Sequence, residues 1–307
     1  MQSSSRRAFL TGRRTTQSPW EAFCQSMGRK VMGKFFELES HDGSRSARLQ
    51  PKQSSDVHIA RALCAEHGVL LALDGVPQAA RLSDHHVLWV DPGRDMAGCQ
   101  RLAPDSSKWF VQPGCLLGEL EAAGLTGFAD LPCHITVAAW LADRTLCNWA
   151  SGHTAESGVE HVSVLLADGT VVGLGPFGQH NQKPLEGARL PQLVPALFQA
   201  STTPEAQHCR QLTHWPARYR LDALSPANGA PVNLAHLLLG HGGDLGWVEW
   251  LVIDEHARPY LEPSRESSFS TYDQLGTGHD WQAADLDARV KMLFDPSELF
   301  PHPGQDV

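Results

Sequence analysis

Long apolar runs are missing from this chain of 307 residues. None reaches the roughly 18 residues that a membrane-spanning helix needs, so no transmembrane segment is expected. Basic charge is short as well: 25 Lys and Arg stand against 34 Asp and Glu, a net charge of −9. Phosphate backbones are held by basic faces, so no nucleic-acid partner is expected. The seven cysteines, at positions 24, 64, 99, 115, 133, 147 and 209, form no CxxC pair. That argues against an iron–sulfur site or a disulfide scaffold, and the odd count reads as free or buried thiols in a reducing compartment, hence cytoplasmic. Sixteen histidines are scattered, and neither His85-His86 nor His208 with His214 has the spacing of a zinc site, so no metal is expected. What remains is an ordinary globular composition, 42% hydrophobic, long enough for one large domain or two small ones.

The amino terminus carries Ser5-Arg6-Arg7-Ala8-Phe9-Leu10, the twin-arginine export pattern S-R-R-x-F-L. Arg13 to Pro19 then stands where the apolar core of such a signal belongs, so the segment reads as a solvated basic arm. Trp20 and Phe23 are its expected apolar anchors on another subunit. Residues 1–48 are taken as this arm and its lead-in.

Past Pro51 the pattern becomes regular. Val57, Ile59/Ala60, Leu63/Cys64 and His67 recur at helical spacing, Gly68 closes the helix, and Val69–Leu73 is a short buried strand. Val87–Asp91 and Trp109–Val111 are further strands, the second running into Pro113-Gly114 and a short helix from Leu116. The richest stretch is Pro132–Gly175. It opens on Thr136-Val137-Ala138-Ala139, continues as a helix-length segment to Ala150-Ser151-Gly152, and ends in a hairpin. There, alternating β-branched runs flank Ala167-Asp168-Gly169. Gly240, Gly243 and Gly246 then mark a tight turn before the strand Trp247–Ile253. A last helix ends at Asp295-Pro296, ahead of Pro303-Gly304.

The order of these segments resembles the FAD-binding domain of the vanillyl-alcohol oxidase and p-cresol methylhydroxylase (PCMH) type. The nearest likeness is to the flavin subunits of glycolate oxidase and D-lactate dehydrogenase. The resemblance implies an α+β fold: two subdomains in one FAD-binding unit, with helices packed on mixed β-sheets. It covers residues 49–254, with 255–307 the remnant of a cap domain and the closing segment. Only Asp254–Ala288 stands where catalytic relatives carry a much larger substrate cap, so the cap is largely missing. By the same resemblance the cofactor is FAD. Its contacts fall on Gly75, Pro113, Gly114, Pro132, Thr136, Val137, Ala138, Asn148, Gly152, Gly158 and Val162.

Two departures from the pattern stand at the cofactor itself. The glycine-rich loop whose amides wrap a pyrophosphate is reduced to Asp74-Gly75-Val76-Pro77-Gln78-Ala79-Ala80-Arg81, and the paired glycines after Thr136-Val137 are alanines. Two functions of different class are therefore expected. One is a flavoprotein oxidoreductase or its flavin subunit, oxidising a small 2-hydroxy acid or alcohol and passing electrons to a partner subunit. A general base is then needed, and His153, His241 and His302 are the candidates. The other is a degenerate member of the fold that serves as a structural or assembly subunit. A flavin carrier without substrate chemistry is a third.

Overall fold

The computed structural model describes residues 18–38, 44–76, 82, 84–178, 185–258 and 281–302. The SRRAFL segment, residues 77–81 and Pro303-Gly304 lie outside the described residues. Helix α1 (Pro19–Lys30) starts on a capping box: Ser18 Oγ accepts from Glu21 N, and the Glu21 carboxylate accepts from Ser18 N. Trp20, Phe23, Cys24 and Met27, one helical face, are buried in the chain's own first core. The anchors expected for another subunit are thus already used within the chain.

Strands β1 (Lys34–Glu37) and β2 (Ser46–Gln50) follow, then helix α2 (Ser54–His67) and strands β3 (Leu70–Leu73) and β4 (Val87–Val90). The Asp56 carboxylate holds the α2 start by accepting from Lys52 N (2.8 Å) and Met32 N (2.7 Å). Gly68, left-handed at φ 65°, ends the helix where the sequence placed its stop. These strands form a mixed sheet in the order β1-β2-β4-β3, antiparallel at β1–β2 and parallel elsewhere. The boundary expected at 48/49 runs through β2.

Strands β5 (Cys99–Arg101) and β6 (Lys108–Val111) open the second subdomain, followed by helices α3 (Leu117–Ala123) and α4 (Val137–Ala142). Strands β7 (Val159–Leu165) and β8 (Val171–Leu174), helices α5 (Leu190–Ser201) and α6 (Pro204–Arg210), strand β9 (Trp247–Asp254) and helix α7 (Trp281–Phe294) complete it. Its sheet runs β5-β6-β9-β7-β8 and is antiparallel throughout. The β7–β8 hairpin turns where Asp168 predicts, its carboxylate accepting from Thr170 N (2.9 Å) and Oγ1 (2.6 Å). The fold is α+β with two sheets, as expected, the first mixed and the second antiparallel.

Helix α4 is the wedge between the subdomains. Its small face, Ala138 and Ala142, belongs to the first core, and its large face, Val137, Trp140 and Leu141, to the second. The expected helix to Ala150 stops at Ala142. Asp143 turns its carboxylate onto Thr145 N and Oγ1, and Arg144 reaches the Cys147 and Trp215 carbonyls. The carboxy-terminal segment returns to the first sheet, where Leu71 N donates to Leu299 O (2.9 Å). Among the described residues no helix is long and apolar enough to cross a membrane, and no cluster of three or more His, Cys, Asp or Glu side chains is arranged to hold a metal.

Candidate functional site

Parallel strands end together, and the crevice beyond their carboxyl ends is where such sheets bind ligands. Here β2 and β4 end at Gln50 and Val90, and a groove of about 270 Å³ opens beside them. Lys34, Gln50, Asp91, Gly93, Arg94, Gly114 and Thr136 line it. Asp91 is held in place, accepting from Gln50 Nε2 (2.8 Å) and Gly93 N (3.0 Å). Gly114 must be glycine, because a Cβ there would stand 2.0 Å from Gly93 O. Lys34 and Arg94 supply positive charge against the carboxylates of Asp91 and Asp95, and Arg94 is paired through both terminal nitrogens with Glu119. That pairing, with the Leu116 N–H, holds the Glu119 carboxyl down at about 2.

At the same edge, just beyond β3, lies the eroded loop. Asp74 accepts from Gly75 N (2.9 Å) through one oxygen and pairs with Arg48 Nε (2.7 Å) through the other. One backbone donor and one cation, the usual partners of a bound phosphate, are both taken up by this carboxylate, the first by a hydrogen bond and the second by an ion pair in which Arg48 Nε is not aligned to donate. The amides opening α4 are engaged too. Val137 N donates to Cys115 O (2.8 Å), Ala138 N to Pro113 O (3.0 Å) and Ala139 N to Thr136 Oγ1 (3.2 Å).

Unmatched polar atoms appear deeper, in the seam between the subdomains. A cavity of about 10 Å³, roughly one water molecule in size, is lined by Leu73, Ala138, His241, Gly243, Trp247 and Phe300 among others. Among the described residues neither ring nitrogen of His241 nor Trp247 Nε1 has a hydrogen-bond partner. His241 is 1% exposed, and burial, with Arg218 and Lys291 nearby, pushes its imidazole down to about 3. It is therefore neutral at ordinary pH. A base with so low a pKa is poorly matched to proton abstraction near neutrality, so the geometry suits His241 to hydrogen bonding.

The expected cofactor residues thus divide. Gly114 and Thr136 line the groove, Ala138 the cavity, and Gly75 faces Ala139, while Pro113 and Val137 are buried, Pro113 O accepting from Ala138 N and Val137 packing in the second core. Pro132 lies in the loop leading to Thr136, its carbonyl accepting from Ile135 N. Asn148 and Gly152 belong to a loop clamped from behind. Arg220 donates to the Trp149 and Ala150 carbonyls, and Asp222 accepts from Gly152 N (2.8 Å). Burial drives the Asp222 carboxyl up, but Arg220 and the Gly152 N–H together bring it below the usual carboxylate range. Gly158 packs against Ala257, and Val162 is fully buried between β8 and β9. The three histidines are not brought together at one place. His153 precedes the turn Thr154–Ser157, paired with Glu156 at 3.5 Å, and His302 follows Phe300, half-buried.

Sequence reasoning missed two features. Lys291, fully buried, donates to Asp295 Oδ2 (2.7 Å), Asp244 O (2.7 Å) and Phe300 O (3.1 Å), tying α7 to the glycine turn and the tail. A second cavity of about 220 Å³, at the β9 end opposite Trp247, is lined by Lys108, Gly158, Glu160, His161, Asn233 and His236 among others. His236 Nε2 donates to Val159 O (2.8 Å), so Nδ1 accepts from Thr154 Oγ1 (3.0 Å). Burial brings this imidazole down to about 4. Lysine at i and aspartate at i+4 was a readable signal for the first. Nothing local signals the second.

Toward a flavin dinucleotide these residues offer Lys34 beside the groove, with Arg94 already paired to Glu119, and the buried polar atoms of His241 and Trp247 in the seam. They do not offer the backbone amides, which are already engaged, and neither volume by itself is the size of a whole dinucleotide. No protein-family model matches the sequence, and no curated protein matches it. Among solved structures, the chain is similar to a 4-ethylphenol oxidase from Gulosibacter chungangensis in an isoeugenol complex. That match has 12% identity and a TM-score of 0.45, covering 77% of this chain and 42% of that one. It is similar also to an alkyldihydroxyacetonephosphate synthase (16% identity, TM-score 0.39, 68% and 31% covered). A variant of Physcomitrella patens BBE-like 1 is a third (11% identity, TM-score 0.42, 76% and 44% covered). The chain spans less than half the length of each of these structures.

Proposed function

We propose that this chain is the FAD-binding subunit of an oxidoreductase, working on a small 2-hydroxy acid or alcohol and handing electrons to a partner subunit in the cytoplasm. The observation that carries this reading is the groove at the carboxyl edge of the parallel strands. It draws Gly114 and Thr136, two residues matched to the flavin-fold pattern, beside Lys34 and Arg94. Lys34 would face a pyrophosphate, with Arg94 shared between that anion and Glu119, and the seam at His241 and Trp247 has room for a single water. When bound, the flavin would supply the hydride acceptor. The chain's own part is to bind and orient. Of the candidate bases, His153, beside Glu156, and His302 are half-buried, whereas His241 is buried. The short stretch between β9 and α7 favours a partner that covers the substrate face.

The deciding experiment is an absorption spectrum of the purified chain after addition of FAD and removal of the excess. Retained flavin bands are expected, with bleaching under anaerobic lactate or glycolate marking turnover. A chain that stays colourless overturns the reading. A second reading, a structural or assembly subunit without catalysis, is favoured by one specific observation. The amides of Val137, Ala138 and Ala139 are all engaged within the chain.

A further inference from the structure

Strand β5 is an edge strand, and its first residue, Cys99, pairs in register with Val111 of β6. Beyond Val111 the chain turns back on itself. Gln112 N donates to Gly98 O (2.8 Å), Gly98 N to Gln112 Oε1 (2.8 Å), and Gly114 N to Met96 O (2.7 Å). These bonds fold Cys115 back toward Cys99, close enough for the two thiols to perturb each other, while the Cys115 thiol donates to Leu116 O (3.6 Å). Cys115 is fully buried, while Cys99 is half-buried and packs on the core cluster that contains Cys115. Cys115 also has its backbone in the site's frame: its carbonyl accepts from Val137 N, and its neighbours Gly114 and Leu116 line the groove. The Glu119–Arg94 pair stands beside it, with Glu119 Oε2 accepting from Leu116 N (2.9 Å).

We propose that Cys99 and Cys115 form a redox-active dithiol that a small-molecule disulfide converts to an intramolecular disulfide, fastening β5 to the turn lining the groove. Cys99 is the attacking group. It is the more accessible of the two, and the neighbouring Cys115 thiol favours its thiolate, outweighing burial. Its thiolate attacks one sulfur of the oxidant, making a Cys99 mixed disulfide and expelling one thiolate, which takes up a proton. Cys115 then loses its proton and attacks the Cys99 sulfur, expelling the second thiolate. Two protein thiols and one disulfide become one protein disulfide and two small thiols. The neighbouring Cys99 thiol and burial push the Cys115 pKa up, so it stays protonated until the mixed disulfide forms beside it. The step uses no flavin, so its failure and that of the flavin reading are separate results.

The test treats the reduced full-length chain with oxidised glutathione, blocks remaining thiols by alkylation, and maps the peptides by mass spectrometry. A Cys99–Cys115 cross-link is expected, with loss of two hydrogens, no retained glutathione on either residue, and full reversal by dithiothreitol. Cys99→Ser abolishes the cross-link, and Cys115→Ser traps glutathione on Cys99. Cys133→Ser, at an exposed position elsewhere, leaves the cross-link unchanged. If Cys115→Ser does not fold, Cys99→Ser at the half-buried edge carries the control. Glutathione that remains on Cys99 in the unaltered chain, or reaction confined to Cys133, overturns the proposal.

Discussion

Asp74 puts a carboxylate beside a backbone amide and a cation at the proposed flavin edge, and Asp74→Asn measures what that does to anion binding. The side chain occupies Gly75 N at 2.9 Å and Arg48 Nε at 2.7 Å. Arg48 is 43% exposed in its side chain, so their ion pair contributes about 1 kcal/mol at most, and the fold survives its loss. Asparagine keeps the shape and the bond from Gly75 but removes the charge. The freed guanidinium then offers a phosphate oxygen a charge-assisted hydrogen bond, worth about 1.5–3 kcal/mol. Solvent exposure of Arg48 reduces this to about 1–2 kcal/mol, or roughly five- to thirtyfold in affinity. The assay is titration of FAD followed by quenching of its fluorescence, at low and raised salt, with ADP as competitor. The gain should shrink with salt and disappear in the double variant with Arg48→Gln. Unchanged or weaker FAD binding by Asp74→Asn, in a protein that melts normally, would falsify the idea that this carboxylate stands in for a phosphate.

Three other perturbations have outcomes that follow from the structure. Lys291→Met leaves the buried Asp295 carboxylate with only Leu299 N, Phe300 N and Ser297 Oγ, and should cost about 3–5 kcal/mol in urea unfolding. A loss no larger than that of an exposed pair, about 1 kcal/mol, would contradict it. His236 and His241 are held neutral by burial, at about 4 and about 3 against an ordinary 6.5. The unfolded chain therefore binds more protons below 6.5. Stability is full above that pH and falls beneath it by about 1.4 kcal/mol per unit for each imidazole, until its folded value is reached. His241→Leu should remove one imidazole's share of that slope, and identical slopes in the two proteins would refute the assignment. Gly158→Ala sets a Cβ 2.4 Å from Ala257 Cβ at φ +69°, so a drop of about 1–3 kcal/mol is expected in thermal melts. An unchanged melting temperature would show that the β7 entry relaxes freely.

The elements that the sequence determined by itself are those written in short windows. Asp168-Gly169 between alternating β-branched runs is enough to make the β7–β8 hairpin, because the turn and the register are local. Helix α2 with its Gly68 stop, and the Pro113-Gly114 turn from β6 into α3, are legible for the same reason. Of the candidate site residues, Gly114 and Thr136 stand together at the groove, and Ala138 lines the seam cavity. Tertiary structure decided what is still available there. Trp20 and Phe23 read as anchors for a partner until the first core takes them. The segment from Ala138 reads as a long helix until Asp143 and Arg144 find other bonds after Ala142. The α4 amides look free until Pro113 and Cys115 reach them, and Asp74 looks like a mere loss until Arg48 is seen beside it. Periodicity and turn chemistry are properties of neighbours in the chain. Whether a donor is free or a charge is paired depends on residues brought close only by the folded packing.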